Sequence, residues 1–585
     1  MTTQTVSSGQ TSSWLDVSSG NELIILSGGV VEMAVVQAGG VEYISRGGLD
    51  EGAFIEGGAQ IVEKGGVASN TGFVDVDGAG TDLQVVFGLA VGTHGEGGEV
   101  QVESGGITSL TEFRYYGAEI VSKGGAAWKT SMSGGYTVLY DYGVTSGTLL
   151  SNGSRRLGFP TEDVDSGGVS LGTILVGDAV ESALSGGVAS ATLISGGGNQ
   201  LVYSGGRARD TTVLAGGQEI LSGGSAVATV VSQGGLLLVS SGGVASKSVI
   251  RTGGRSVVYY GGSTSGTVLS GGIEVLSSGG LTTLTTVDRG GYEVVSSGGT
   301  ASKTTLSHGT LRVLSGGAAD RTIAGGFPIS GGNETILKGG SATETLLLSH
   351  GYEFDFGDAS GTVIRSGGHE EVERGGTTSG SVVSNGGREI VSSGGLAIAA
   401  SLFNGGTLIV SSGGSISGGL TIHAGQATIE GEMAAGQAVR FAGTAGTLRV
   451  DNLSGFGAAI SGFGGATERI DLGGFAFGGG ETATWAQSGT SGTLTVQDGA
   501  ASGSLTLIGT YATGDFALST DSHGGTLIKE PTIPGALPAT TRFTQAVAGL
   551  GGGRSAAGLA AVHAGGSALL GGGDAPLVGV ATSGR

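Results

Sequence analysis

The chain has 585 residues, 127 of them glycine and only 6 proline, with no cysteine, 5% aromatics and a formal net charge of −21. No strict glycine triplet runs through it, which excludes collagen, and a hydrophobic share of 38% with mean hydropathy +0.22 excludes a wholly disordered chain, because enough apolar surface is present to offset the entropy of ordering. The acidic balance excludes nucleic acid or an anionic membrane as partner, since both need clustered Lys and Arg, and the lack of cysteine excludes a disulfide scaffold or a thiolate metal site.

The first stretch, MTTQTVSSGQTSSWLDVSSG, has no basic segment followed by an apolar core and is not a secretory signal as written; residues 1–16 read as a leader or N-terminal cap. No run of 18 apolar residues follows, so no membrane insertion by a helix is expected.

From about residue 17 to 415 glycine pairs keep a schedule. Their second members include Gly224, Gly235, Gly243, Gly254, Gly262, Gly272, Gly280, Gly291 and Gly299, at spacings of 11, 8, 11, 8, 10, 8, 11 and 8. Two alternating limbs therefore make a unit of about 19 residues. The short limb reads YEVVSSGG (292–299), IEVLSSGG (273–280) or REIVSSGG (388–395), a brief strand and a turn. The long limb reads VASKSVIRTGG (244–254) or SAVATVVSQGG (225–235), with a small residue second, Ser or Thr near fifth and an aliphatic near seventh. It has room for one further strand or two.

A helix is excluded, because each interior glycine would cost roughly 1 kcal/mol against alanine. The expected fold class is all-β, a parallel β-helix (β-solenoid) of about 20 rungs stacked about 4.8 Å apart. In such a stack Val294 lies over Val275 and Ser297 over Ser278, aliphatics line the interior, and Ser, Thr and charged residues face outward. Around residues 71–98, 136–165, 327–328 and 352–360 the pairs lapse, which reads as degenerate rungs with longer loops.

After Gly414 the texture changes to longer alternating strands and turns such as Asp498-Gly499, so residues 416–530 read as a β-rich C-terminal capping module. Residues 531–585, with Pro531, Pro534 and Pro538 ahead of a Gly/Ala-rich run, read as a flexible tail.

The repeated VSSGGTAS unit, with its 8 plus 11 alternation, resembles the strand-loop-strand repeats of bacterial autotransporter passenger domains, the AIDA-type adhesins and their self-associating relatives. The resemblance implies a right-handed β-helix at the bacterial cell surface, extracellular and outer-membrane associated, acting in adhesion, autoaggregation or biofilm formation. Its implied partners are sister copies on neighbouring cells, or host or abiotic surface glycans. It also implies a heptosyltransferase as partner, since Ser and Thr of such repeats carry O-linked heptose in several relatives. Nothing after residue 530 shows the amphipathic strands of a C-terminal translocator barrel.

Candidate chemistry is sparse. Parallel β-helices also carry polysaccharide lyases and hydrolases, for which Asp355, Asp358, Glu370, Glu371 and Glu373 are the candidate carboxylates; sugar hydrolysis needs two of them facing one bond. Acidic residues on a solenoid more often solvate its surface, so no catalytic residue and no cofactor are assigned. The seven histidines show no HxxxH or HExxH spacing and no GGxGxD tandem is present, so no metal site is assigned either. Gly279, Gly280, Gly298, Gly299, Gly394 and Gly395 are the structural turn residues. Ser278, Ser297, Ser393 and Ser412 are candidate O-glycosylation positions, against the plainer reading that serine before glycine favours turns. The expected function is a non-enzymatic adhesin, the alternatives being a lyase or hydrolase and a purely structural stalk.

Overall fold

The computed structural model describes residues 2–74, 82–152, 158–325 and 331–529. Phe327, Pro328 and the tail from residue 531 lie outside the described residues.

One rung shows how the sequence folds. Leu281–Thr283 is a short strand, Leu284 bends the chain at φ +59°, Thr286–Asp288 is a second strand, and after a glycine turn Tyr292–Val295 is the third. The long limb thus supplies two strands and the short limb one, which settles the number per rung at three. The bend recurs in nearly every rung on a left-handed residue, for example Lys247, Lys303 and Arg321, or on a glycine such as Gly266 and Gly380. Only the left-handed region gives a corner this tight in one residue.

Each strand pairs in parallel with its counterpart one unit on. Ile273–Leu276 lies beside Tyr292–Val295, with Val275 on Val294, and Tyr292–Val295 lies beside Thr310–Val313. The solenoid has about 24 turns of about 19 residues, rather than 20. At ~4.8 Å per step this makes a rod on the order of 115 Å long.

The extra turns come from both ends. Thr3–Val6 pairs in parallel with Glu22–Ile25, and Thr11–Ser13 with Val30–Glu32. Residues 3–16 thus pair as a rung of the solenoid. At the other end parallel pairing runs past residue 415, from Thr407–Val410 through Gln426–Ile429 and Ala445–Val450 to Thr467–Ala476. The regular schedule of doublets lapses there, with Gly418-Gly419, Gly464-Gly465 and Gly473-Gly474 the pairs that remain, and single glycines hold the same close corners: a Cβ on Gly425 would lie 2.7 Å from the Gly406 carbonyl oxygen. The irregular stretches are rungs too, with Tyr136–Asp141 on Thr161–Val164 and Gly332–Ile336 on Gly351–Asp355.

Among the described residues, isolated bridges aside, antiparallel pairing of strands begins with the last strands. Thr482–Ser488, Ser491–Asp498 and Ala501–Ile508 form a meander whose final strand stacks on Ala459–Ser461. Gly525–Lys529 runs antiparallel to both Thr467–Ala476 and Ala517–Thr520. Arg449 ties these strands to the solenoid, with Nε 2.9 Å from Asp451 Oδ1 and Nη1 3.3 Å from Asp471 Oδ2 and 3.2 Å from Asp521 Oδ2.

The two glycines of a pair do different work. Gly279, Gly298 and Gly394 adopt φ of +83°, +76° and +81°. Gly280, Gly299 and Gly395 are closed instead by the rung below: a Cβ on Gly299 would stand 2.9 Å from the Leu276 carbonyl, and one on Gly280 would overlap the Val258 carbonyl. Steric exclusion, not backbone strain, makes the second glycine obligatory. Gly280→Ala should therefore lower unfolding stability by about 2–3 kcal/mol and Gly279→Ala by about 1 kcal/mol, read by urea denaturation; equal costs at the two positions would refute the division of roles.

Candidate functional site: a buried carboxylate column and outer hydroxyl rows

The interior departs from the expected aliphatic packing. In Tyr292–Val295 the strand alternation sends Glu293 and Val295 inward and leaves Val294 half-exposed. From the long limb, Ala301, Thr304 and Leu306 point inward as well. Glutamate, serine and threonine expected outside thus line the core of many rungs.

Because rungs superimpose, these residues form a column. Glu42, Gln60, Gln84 and Glu119 open it, and from Glu162 on its members in register fall in three groups: Glu162, Glu181, Gln200 and Glu219; Ser256, Glu274 and Glu293; and Glu334, Glu353, Glu370 and Glu389. Leu237 separates the first group from the second and Leu311 the second from the third. All are buried.

Hydroxyls from the opposite limb satisfy many of the carboxyls. Thr108, Thr111 and Thr130 donate to Glu119 at 2.6, 3.1 and 2.6 Å. Thr304 donates to Glu293 at 2.9 Å, and Thr322 and Thr345 to Glu334 at 3.0 and 3.1 Å. Gln200 bridges the upper group, donating to Glu181 at 2.7 Å and accepting from Thr211 at 2.9 Å.

No lysine or arginine is buried among the described residues, so nothing basic balances the column. Burial, joined by the charge of Glu274, pushes the Glu293 carboxyl up to about 8, and burial pushes Glu219 and Glu334 up to about 7. A protonated carboxyl keeps an acceptor oxygen and gains a donor. The formal charge of −21, which counts every carboxylate as ionised, therefore overstates the charge of the folded surface.

The carboxylates weighed for sugar chemistry do not converge on an exposed face. Asp355 and Glu370 are sealed in the core, while Asp358 is exposed and Glu371 and Glu373 sit half-buried on the outer face. Glu370 and Glu371 are neighbours on one strand and so point to opposite sides. Ser278, Ser297, Ser393 and Ser412 are all exposed at corners beside the glycine pairs. A second row of hydroxyls runs along the long limb: Ser246, Ser265, Thr283 and Ser302 are in register, and beyond Asp320 so are Thr343, Ser360 and Ser379. Trp14 and Trp128 are exposed and Trp485 packs on the core beside Tyr511.

Sequence reasoning missed the column although its signal was present. Glutamate second in IEVL, YEVV and REIV stands two residues before the inward aliphatic, on the same face of the strand.

Raised carboxyl pKa values make stability pH-dependent. Unfolded glutamates ionise near 4.5 while the buried ones hold their protons, so the native state binds more protons and stability falls as pH rises from about 4.5 to about 8. Glu293→Gln, which places there the amide already found at Gln60, Gln84 and Gln200, should flatten that slope and raise stability at pH 8 by on the order of 2 kcal/mol. Denaturant midpoints at several pH values check this, and an unchanged slope would contradict it.

A family model described as adhesin of bacterial autotransporter system, probable stalk, matches residues 181–235 and 220–272. No curated protein sequence matches the chain. Among solved structures, a TibC-catalysed hyper-glycosylated fragment of TibA is 29% identical, with a TM-score of 0.34 over 48% of this chain and 88% of that one. A mutant tailspike protein of an E. coli bacteriophage, in complex with a hexasaccharide, is 10% identical, with a TM-score of 0.10 over 90% of this chain and 84% of that one. The resemblance read from the glycine-paired units is thus matched over residues 181–272 by the model of a probable stalk of bacterial autotransporter adhesins.

Proposed function

We propose that this chain is a non-enzymatic adhesive rod at the bacterial cell surface, binding sister copies or surface glycans through its outer rows. The match of residues 181–272 to an adhesin stalk carries this reading. The in-register hydroxyls support it: one weak contact per rung, repeated along a rod, sums to useful avidity without a pocket. The sealing of Asp355 and Glu370 inside the core argues against a lyase built on them.

The exposed corner serines Ser278, Ser297, Ser393 and Ser412 are proposed as acceptors for a glycosyltransferase, the heptosyltransferase of the family being the expected enzyme. The antiparallel strands from Thr482 onward are proposed as the cap of the solenoid, since they cover edges that would otherwise template further strands. The preceding rungs, back to residue 3, form the rod.

Display of the chain on a non-adherent bacterium should produce autoaggregation or surface binding, and aggregation should rise with moderate salt as repulsion between acidic rods is screened within ~8 Å. Absence of both, together with release of unsaturated sugars from an acidic polysaccharide, would replace the adhesin reading with a lyase.

A further inference from the structure

The third group of the column differs from the others. Gln200 interrupts the first and Ser256 opens the second, whereas Glu334, Glu353, Glu370 and Glu389 stack with no amide between them. A fifth acid joins them: Asp355 stands where the flanking rungs place Ile336 and Val372. The second position of the long limb is Ala342 and Ala359 here, where other rungs bring Thr264, Thr282 or Thr378. This rung therefore carries two buried acids on one strand, with few donors facing them.

Glu353, Asp355 and Glu370 each bring a carboxylate oxygen within 4.8 Å of the others, and all three are fully buried. Both oxygens of Glu353, both of Asp355 and Oε2 of Glu370 make no hydrogen bond, while Glu370 Oε1 accepts from Thr378 at 2.9 Å. The Thr362 hydroxyl lies beside Glu353 and Glu370. Three buried carboxyls thus converge beside one hydroxyl, and five of their oxygens lack a well-formed hydrogen bond.

We propose that Glu353, Asp355, Glu370 and Thr362 form a buried binding site for one calcium ion. Three carboxylates, each able to bind through one or both oxygens, and a neighbouring hydroxyl are oxygen ligands of the kind calcium takes, and an all-protein cage suits calcium better than magnesium, which keeps several waters. The carboxylates of this rung are pushed up by burial and then by one another, Glu353 by Glu334 and Glu370, and Asp355 by Glu353 and Glu370. A cation and protons are therefore the competing means of neutralising them. The groups facing the site are Glu334 from the rung before, Glu389 one step beyond Glu370, and the hydroxyls of Thr345, Thr362 and Thr378; His369, Glu371 and Glu373 lie on the outer face. Full burial means that the ion enters as the rung closes during folding.

The full chain, unfolded in guanidinium, would be refolded at neutral pH with calcium chloride, with magnesium chloride or with chelator, then freed of unbound metal by gel filtration. One calcium per chain should be retained, with a melting temperature several degrees above that of the chelator-refolded protein and a larger difference at pH 8 than at pH 5. Asp355→Val, which restores the aliphatic of the flanking rungs, should fold and lose both the ion and the calcium-dependent rise. Glu293→Gln, beyond Leu311, should keep both. If Asp355→Val fails to fold, Asp355→Asn serves, with calcium retention expected to drop at least tenfold. No retained calcium in the unsubstituted chain, magnesium retained in its place, or equal retention in the Asp355 variants would overturn the proposal in favour of protons shared among the carboxyls.

Discussion

Everything in this molecule follows from the parallel backbone ladder between successive units of about 19 residues. A strand hydrogen-bonded to its own counterpart one turn on must repeat its direction, its bends and the sides to which its residues point. A side chain is then packed chiefly against the same position of the rungs above and below, about 4.8 Å away. Where that position is aliphatic the ladder gives a continuous core. Where it is glutamate, the ladder stacks acid on acid.

The stacked acids explain why threonine recurs at the fifth position of the long limb. A buried carboxyl is costly unless hydrogen-bonded, and the long limb faces the short one across the narrow interior, so its hydroxyls reach the glutamates, as Thr304 does to Glu293 and Thr173 to Glu162. Leu237 and Leu311 break the column, so the mutual repulsion of ionised groups never extends along the whole rod. An apolar interior would avoid the burial cost altogether. A polar column, by contrast, penalises any slip of a rung against its neighbour, because donors and acceptors would then be separated.

The ladder also dictates how the rod must end. A parallel edge offers unpaired backbone groups to any further strand, and the chain changes hydrogen-bonding mode there, from parallel on Thr467–Ala476 to antiparallel with Gly525–Lys529. Arg449, from the penultimate parallel strand, reaches Asp471 and Asp521 across this change, so the last rungs and the closing strands share one ionic contact as well as a core.

The repeat, its length, the strand-and-turn texture and the register of Val275 on Val294 were legible in the glycine spacing, because a turn that tolerates only glycine marks its own position in a sequence. The ends of the array were not, since residues 3–16 and 416–476 keep the ladder without the regular spacing of the doublets: pairing needs a strand and a close corner, and one glycine can supply the corner. Nor did composition reveal where Glu293, Thr304, Asp355 and Glu370 point. A glutamate has the same polarity on either face of a strand, and only the phase of alternation, fixed by the corners once the rungs are stacked, turns it into the core. The sequence by itself determined a β-solenoid and its period; the tertiary structure decided that its acids lie inside, where a neighbouring rung rather than solvent sets their protonation.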